Sequence, residues 1–137
     1  MAGTSAAQML SVWERGAAQS WAGRGVTVLN AWPPPHAPEE WAELSIGARD
    51  AWLWQLRVQL FGFRLACLAD CPTCAAPLQF ELDARQVAQR TGDSAVGSHE
   101  LDAAGFQIRF RALTSGDLLE AERLGDAAAI RQRLVEQ

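Results

Sequence analysis

The chain contains no lysine: all 12 of its basic residues are arginine, set against 16 carboxylates. The resulting net charge of −4 argues against a general nucleic-acid binder or a protein of anionic membrane surfaces, since both need a surplus of positive charge. Histidine is scarce. His36 and His99 are the two present, and neither has Ser or Asp nearby in a recognisable hydrolase pattern. A glycine-rich phosphate loop is also missing. No run of 18 apolar residues occurs, so no membrane span is expected. The first ten residues lack a positive n-region and an apolar h-region, so no secretory signal is expected either. Cysteine is limited to three, an odd count that does not make a disulfide framework and fits reduced, cytoplasmic thiols.

What remains is a chain of 137 residues, 49% of them apolar, long enough for a core without covalent staples. The expected class is α+β. A helical N-terminal half leads to a central β-hairpin, one or two further strands and C-terminal helices. Two regions are expected: residues 1–37, a helical segment with a proline-rich linker, and residues 38–137, an α+β domain.

Thr4 to Ser20 reads as a first helix, with Ser5 and Gln8 forming a capping box. Gly23 and Gly25 break that pattern. Val26 to Trp32 is a short apolar run, helix or strand. Pro33-Pro34-Pro35-His36-Ala37-Pro38 cannot be regular helix and reads as an extended linker. A short helix is expected over Glu39–Leu44, begun by Pro38. Ser45 caps the clearest helix, Ile46 to Leu60, which is apolar over more than half its circumference. Gly62 ends it. All six tryptophans fall between Trp13 and Trp54. They read first as bulky core anchors and second as a sticky surface.

Phe63–Asp70 and Ala75–Leu82 form the arms of the hairpin. Leu78, Phe80 and Leu82 alternate with Gln79 and Glu81, the pattern of a half-buried strand. Asp83 caps a short helix, Ala84–Arg90. His99–Asp102 is set to pair with Phe106–Leu113 across a turn at Ala104-Gly105. There Phe106, Ile108 and Phe110 predict a second half-buried strand. Thr114 and Asp117 make a capping pair for the next helix, and Asp126 caps the last, Ala127 to about Val135. Glu39, Glu40 and Glu43 are expected on a solvated face. Asp117, Glu120 and Glu122 are expected in helix-start and surface roles.

At the hairpin tip stands Cys71-Pro72-Thr73-Cys74. Two cysteines at this spacing can turn both thiolates to one side of a tight turn, which makes them half of a tetrahedral zinc site. Zinc is the implied cofactor, but a structural site takes four ligands and these residues hold no second Cys-x-x-Cys. Cys67 and His99 are the further candidates. Cys67 reads more readily as a small buried hydrophobe and His99 as an exposed loop residue. His36, in the proline run, is the weakest candidate. A symmetric dimer pooling two such tips, or a site without metal, are the remaining alternatives. A redox role is disfavoured, because a redox pair typically opens a helix, where the dipole lowers a thiol pKa. No catalytic constellation is found.

Four stretches in order carry a family resemblance. They are Leu44–Asp50 leading into the Trp/Leu-rich helix, Leu60-Phe61-Gly62, Cys71-Pro72-Thr73-Cys74 followed by Leu78-x-Phe80-x-Leu82, and Phe106–Leu119. The last includes Arg109-Phe110-Arg111-Ala112-Leu113-Thr114-Ser115-Gly116-Asp117-Leu118-Leu119. This order resembles the T4-type phage baseplate protein family over roughly residues 40–135, a family related to hub assembly proteins of contractile tails and of extracellular contractile injection systems. The resemblance implies a non-enzymatic structural or assembly component that docks other baseplate or hub proteins. Such a protein would be cytoplasmic during assembly or held within a particle. Members usually continue past the last helix into a second Cys-Pro-x-Cys and often have glycine after the second cysteine of the first. Here that glycine is Ala75 and the sequence stops at Gln137, so the expectation is a short member lacking the second half or taking it from a partner. The alternative function is a zinc-ribbon-like regulatory or nucleic-acid-binding module. A thiol oxidoreductase ranks third.

Overall fold

A computed structural model of the chain describes residues 5–33, 40–91 and 97–135. The architecture is α+β, with helices at both ends and two separate antiparallel hairpins between them. The proline run from Pro34, with His36, lies outside the described residues, as do residues 92–96.

Helix α1 spans Ala6–Ala17 and begins in the expected capping box. The Gln8 N–H donates to Ser5 Oγ at 3.2 Å and the Ser5 N–H to Gln8 Oε1 at 2.9 Å. Helix α2 spans Trp21–Ala31, which corrects the expected break at Gly23 and Gly25. The helix is started by Ser20, whose hydroxyl accepts the Gly23 N–H, and it runs through both glycines. Gly25 has a packing reason to be there. A Cβ at that position would lie 3.3 Å from Leu53 Cδ1 and 3.6 Å from Arg49 Cδ. The missing side chain lets α2 close on the next helix.

The helix expected over Glu39–Leu44 is not formed over its described part, residues 40–44, which are turns. The Ala42 carbonyl is tied across the fold instead, and so are the two residues that follow this stretch. The Gly116 N–H donates to Ala42 O at 2.8 Å, the Ile46 N–H to Leu113 O at 2.9 Å, and Ser45 bridges Thr114. Groups engaged across the fold are unavailable to a helix's own ladder. Trp41 nonetheless goes into the core, edge-on to Trp52 at 6.0 Å between ring centroids.

Helix α3, Ile46–Phe61, has Ser45 as its cap and ends at Gly62, whose φ of +79° suits glycine. The first hairpin follows: β1 (Arg64–Asp70) pairs with β2 (Pro77–Asp83). Arg57 straps it to α3 by donating to the carbonyls of Gly62 and Arg64. Helix α4 (Ala84–Thr91) then packs back on α3. The second hairpin joins β3 (Ser98–Ala103) to β4 (Phe106–Arg111). Ala104 and Gly105 take φ values of +52° and +82° at its turn, the left-handed pair that matches strand twist in a two-residue loop. Helix α5 (Ser115–Glu122) and helix α6 (Ala127–Val135) close the chain.

The core is small. Among the described residues Val12, Ala22, Leu29, Trp41, Ala51, Ala84 and Ala121 are its buried apolar residues, spread over the contacts of α2 with α1, α3 and α5 and of α3 with α4. Arg49 is 4% exposed among them. Its Nη1 donates to Ser115 Oγ at 3.1 Å, while Nε and Nη2 reach Asp50 Oδ1 at 2.9 and 2.6 Å. One side chain thus ties α3 to α5.

The strands correct a second expectation. Their alternation is as read, but neither hairpin buries its apolar face. Leu78, Phe80 and Leu82 are exposed, and so are Ile108, Phe110 and Phe106, the last at 72%. Among the described residues each hairpin pairs two strands and no third.

Candidate functional site: the cysteine tip and its apolar face

In an antiparallel pair, directly opposed residues share a face and successive residues alternate. The register Leu65↔Leu82, Cys67↔Phe80, Ala69↔Leu78 therefore puts six uncharged side chains on one face of the first hairpin. The other face holds Arg64 with Asp83, Ala66 with Glu81, Leu68 with Gln79, and Asp70 with Pro77. The ladder continues one step beyond the strands, because the Cys71 N–H donates to Ala76 O at 2.9 Å. By alternation Cys71 falls on the apolar face, at its tip end.

The turn closes when the Ala75 N–H donates to Cys71 O at 2.8 Å. Ala75 itself holds φ +56°, the position where a glycine would sit without steric cost. The Cys71 thiol is held below its ordinary pKa, first by the Thr73 backbone N–H, then by the Cys74 backbone N–H, and further by the Cys74 thiol. Hydrogen bonds to a thiolate favour the charged form, the form that binds metal. Cys74 is exposed and Cys71 half-buried.

The other sequence-derived ligands are not brought to this point. Cys67 stands four residues down β1, about 13 Å along the strand at ~3.3 Å per residue, and its thiol lies 3.5 Å from Leu65 O. His99 belongs to the second hairpin, tilted against Phe110 at 5.4 Å. Among the described residues no group of three or more His, Cys, Asp or Glu is placed to hold a metal. The donor set present is chemically right for zinc but amounts to two of the four ligands.

The second hairpin repeats the two-faced design. His99 with Phe110, Leu101 with Ile108, and Ala103 with Phe106 form the apolar side. Ser98 with Arg111, Glu100 with Arg109, and Asp102 with Gln107 form the polar one. Arg109 is paired with Glu100 at 3.1 Å.

Two features were not read from sequence. One is an apolar groove of about 680 Å³ between α1, α2 and the end of α3, lined by Met9, Trp13, Val28, Trp32, Leu60 and Phe61 among others. The concentration of tryptophan near the N-terminus was its signal. Trp13 is 70% exposed and Trp21 61%, so these two are surface groups while Trp41 is the core anchor. The second feature is the burial of Asp117, expected at a helix start on the surface. The helix-start role holds, but the carboxylate is buried against Arg111.

No family model, curated protein or solved structure matches the chain. Among the described residues no helix is long and apolar enough to cross a membrane.

Proposed function

We propose that this chain is a non-enzymatic structural or assembly component of the baseplate of a contractile phage tail or phage-tail-like injection system, working by docking onto other baseplate or hub proteins. The observation that carries the reading is the pair of two-faced hairpins whose apolar sides are uncovered in the single chain. An isolated two-stranded hairpin is marginally stable in water, and such a face becomes favourable when something packs on it. Edge strands with open apolar faces suit strand addition or face-on packing by another protein.

The sequence resemblance over residues 40–135 supports the same reading, since the quoted stretches fall on α3, the first hairpin, the second hairpin and α5. The buried ionisable groups support a structural role, because Arg49 and Asp117 are committed to Ser115, Asp50, Arg111 and Thr114. Protein partners are favoured over nucleic acid by the net charge of −4.

The test is genetic and biochemical together. Neighbouring genes should encode sheath, tube and baseplate wedge proteins. Deleting this gene should yield particles, or sheath and tube stocks, that lack an assembled baseplate. The purified chain should bind a purified hub or wedge protein from the same cluster. Normal particle assembly in the deletion strain would overturn the reading.

A further inference from the structure

We propose that two copies of this chain join through the apolar face of the β1–β2 hairpin and share one zinc ion, each contributing Cys71 and Cys74. The proposal goes beyond the baseplate reading and does not depend on it.

Two incomplete features meet at one place. Cys71 falls, by strand alternation, on the same face as Leu65, Cys67 and Ala69, opposite Leu82, Phe80 and Leu78. Cys71, one thiol of the half-site, therefore stands at the end of the uncovered face, with Cys74 three residues on in the same turn. A two-fold axis running along the hairpin would lay one such face on its copy with both tips at the same end. Each tip supplies two thiolates, so two tips supply the four that tetrahedral zinc requires. An isologous contact repeats each residue against its partner, so a self-associating face must not carry unpaired like charges. This face carries no charge at all. The opposite face would set Asp70 and Glu81 near their own copies.

Area decides what holds the pair together. Seven residues at about 3.3 Å each give ~23 Å of strand, and two strands with their side chains give ~10 Å of width, so the face measures roughly 230 Å². A stable association needs about 800 Å² per partner. The apolar face alone is too small and supplies register, while the metal supplies the affinity. On binding, the four thiols lose their protons and the zinc–thiolate centre carries a net charge of −2. The second hairpin has an equivalent apolar face but no thiol pair, so it is not the seat of this contact.

The experiment is native mass spectrometry and sedimentation velocity on the full chain, reduced and titrated with zinc. Two chains with one zinc, returning to monomer on chelation, is the expected result. Cobalt in place of zinc should give the bands of tetrahedral thiolate coordination, saturating at one cobalt per two chains. Cys74→Ser should abolish both metal uptake and dimer. Phe80→Glu should weaken the dimer, and circular dichroism would show that this exposed position leaves the fold intact. Leu68→Glu, on the opposite face, should change neither. A metal-free monomer, one zinc per chain, or a dimer that survives chelation or Cys74→Ser would each overturn the proposal. None of these outcomes bears on whether a hub protein binds elsewhere.

Discussion

Arg111 and Asp117 close on each other in a two-pronged pair, Nη1 to Oδ2 at 2.6 Å and Nη2 to Oδ1 at 2.8 Å. Arg111 is the last residue of β4 and Asp117 the third of α5. The same carboxylate accepts the Thr114 backbone N–H at 2.8 Å, and the Asp117 N–H donates to Thr114 Oγ1 at 3.1 Å. One buried acid therefore caps a helix and fixes the direction in which the second hairpin leaves it. The apolar side of β4 is presented at a defined angle because of this pair.

Asp117 should make acid stability depend on its ionisation. The Arg111 guanidinium, with the Thr114 hydrogen bonds, holds its carboxyl well below the usual carboxylate range. A depressed folded-state pKa stabilises the fold above the unfolded value, about 3.9, and the contribution is lost as pH falls through the folded value. Asp117→Asn should cost about 2–3 kcal/mol at pH 7, combining a charged hydrogen-bonded pair with a weakened cap. The gap between wild type and variant should narrow steadily below pH 4. Urea unfolding of both proteins from pH 7 to pH 2 measures this, and a gap that stays constant would contradict it.

Arg49 is the second such tie. Arg49→Met keeps an apolar stem of similar length but leaves the hydroxyl of Ser115, fully buried, without its donor. Asp50 is 37% exposed on its side chain and can rehydrate, so the loss should come mainly from Ser115 and the α3–α5 tie. About 2–4 kcal/mol is expected. Arg49→Lys should recover less than half of it, because one ammonium cannot reach Asp50 and Ser115 in the geometry of the fork. Denaturant midpoints of the two variants decide the matter.

The local signals were legible in the sequence. Ser5, Ser45 and Thr114 announced their helices because a cap is a short-range interaction between a side chain and an N–H three residues on. The strand pairings and the turn at Ala104-Gly105 were legible for the same reason. What stayed hidden depended on distant partners. Gly23 and Gly25 looked like breakers because nothing near them in sequence reveals that α3 lies against Gly25. The turns at residues 40–44 are held where Gly116 bonds the Ala42 carbonyl, a partner more than 70 residues away. The apolar alternation of Phe106, Ile108 and Phe110 says which residues share a face, not whether anything covers it. At the tip, the two-cysteine spacing marked a candidate half-site, while the continuity of Cys71 with the apolar face needed the register.

Gly25 should tolerate one methyl and no more. Alanine removes helix-interior glycine, worth about 1 kcal/mol in favour, while its Cβ at 3.3 Å from Leu53 Cδ1 asks the end of a flexible side chain to give slightly. The two effects should leave Gly25→Ala within about 0.5 kcal/mol of wild type. Gly25→Leu should lose about 2 kcal/mol or more by forcing α2 away from α3. Thermal unfolding of the pair checks the close approach directly.

The three thiols should differ in reactivity. Cys71, whose thiolate is favoured by the Thr73 and Cys74 backbone N–H groups, should alkylate faster than Cys67 at neutral pH. Zinc should protect Cys71 and Cys74 and leave Cys67 unaffected. Timed iodoacetamide labelling read by peptide mass spectrometry, with and without metal, separates the sites. Equal rates at Cys67 and Cys71 would contradict the arrangement of the tip.

Trp41 and Phe106 should divide stability from docking. Trp41 is buried and packs edge-on to Trp52, so Trp41→Ala should cost about 3–5 kcal/mol through lost burial and the cavity left behind. Phe106 stands at the turn end of the second hairpin with most of its surface in water. Its removal forfeits little that folding of the single chain supplies, and Phe106→Ser should shift stability by no more than about 0.5 kcal/mol. If the second hairpin docks a baseplate partner, that same substitution should weaken binding at least tenfold, because an aromatic anchor desolvated at a contact is where affinity concentrates. Urea titration and calorimetric binding on the two variants give the contrast. A Phe106→Ser protein that unfolds readily would mean the hairpin face is covered within the chain after all, and one that is stable and binds normally would move the docking surface elsewhere.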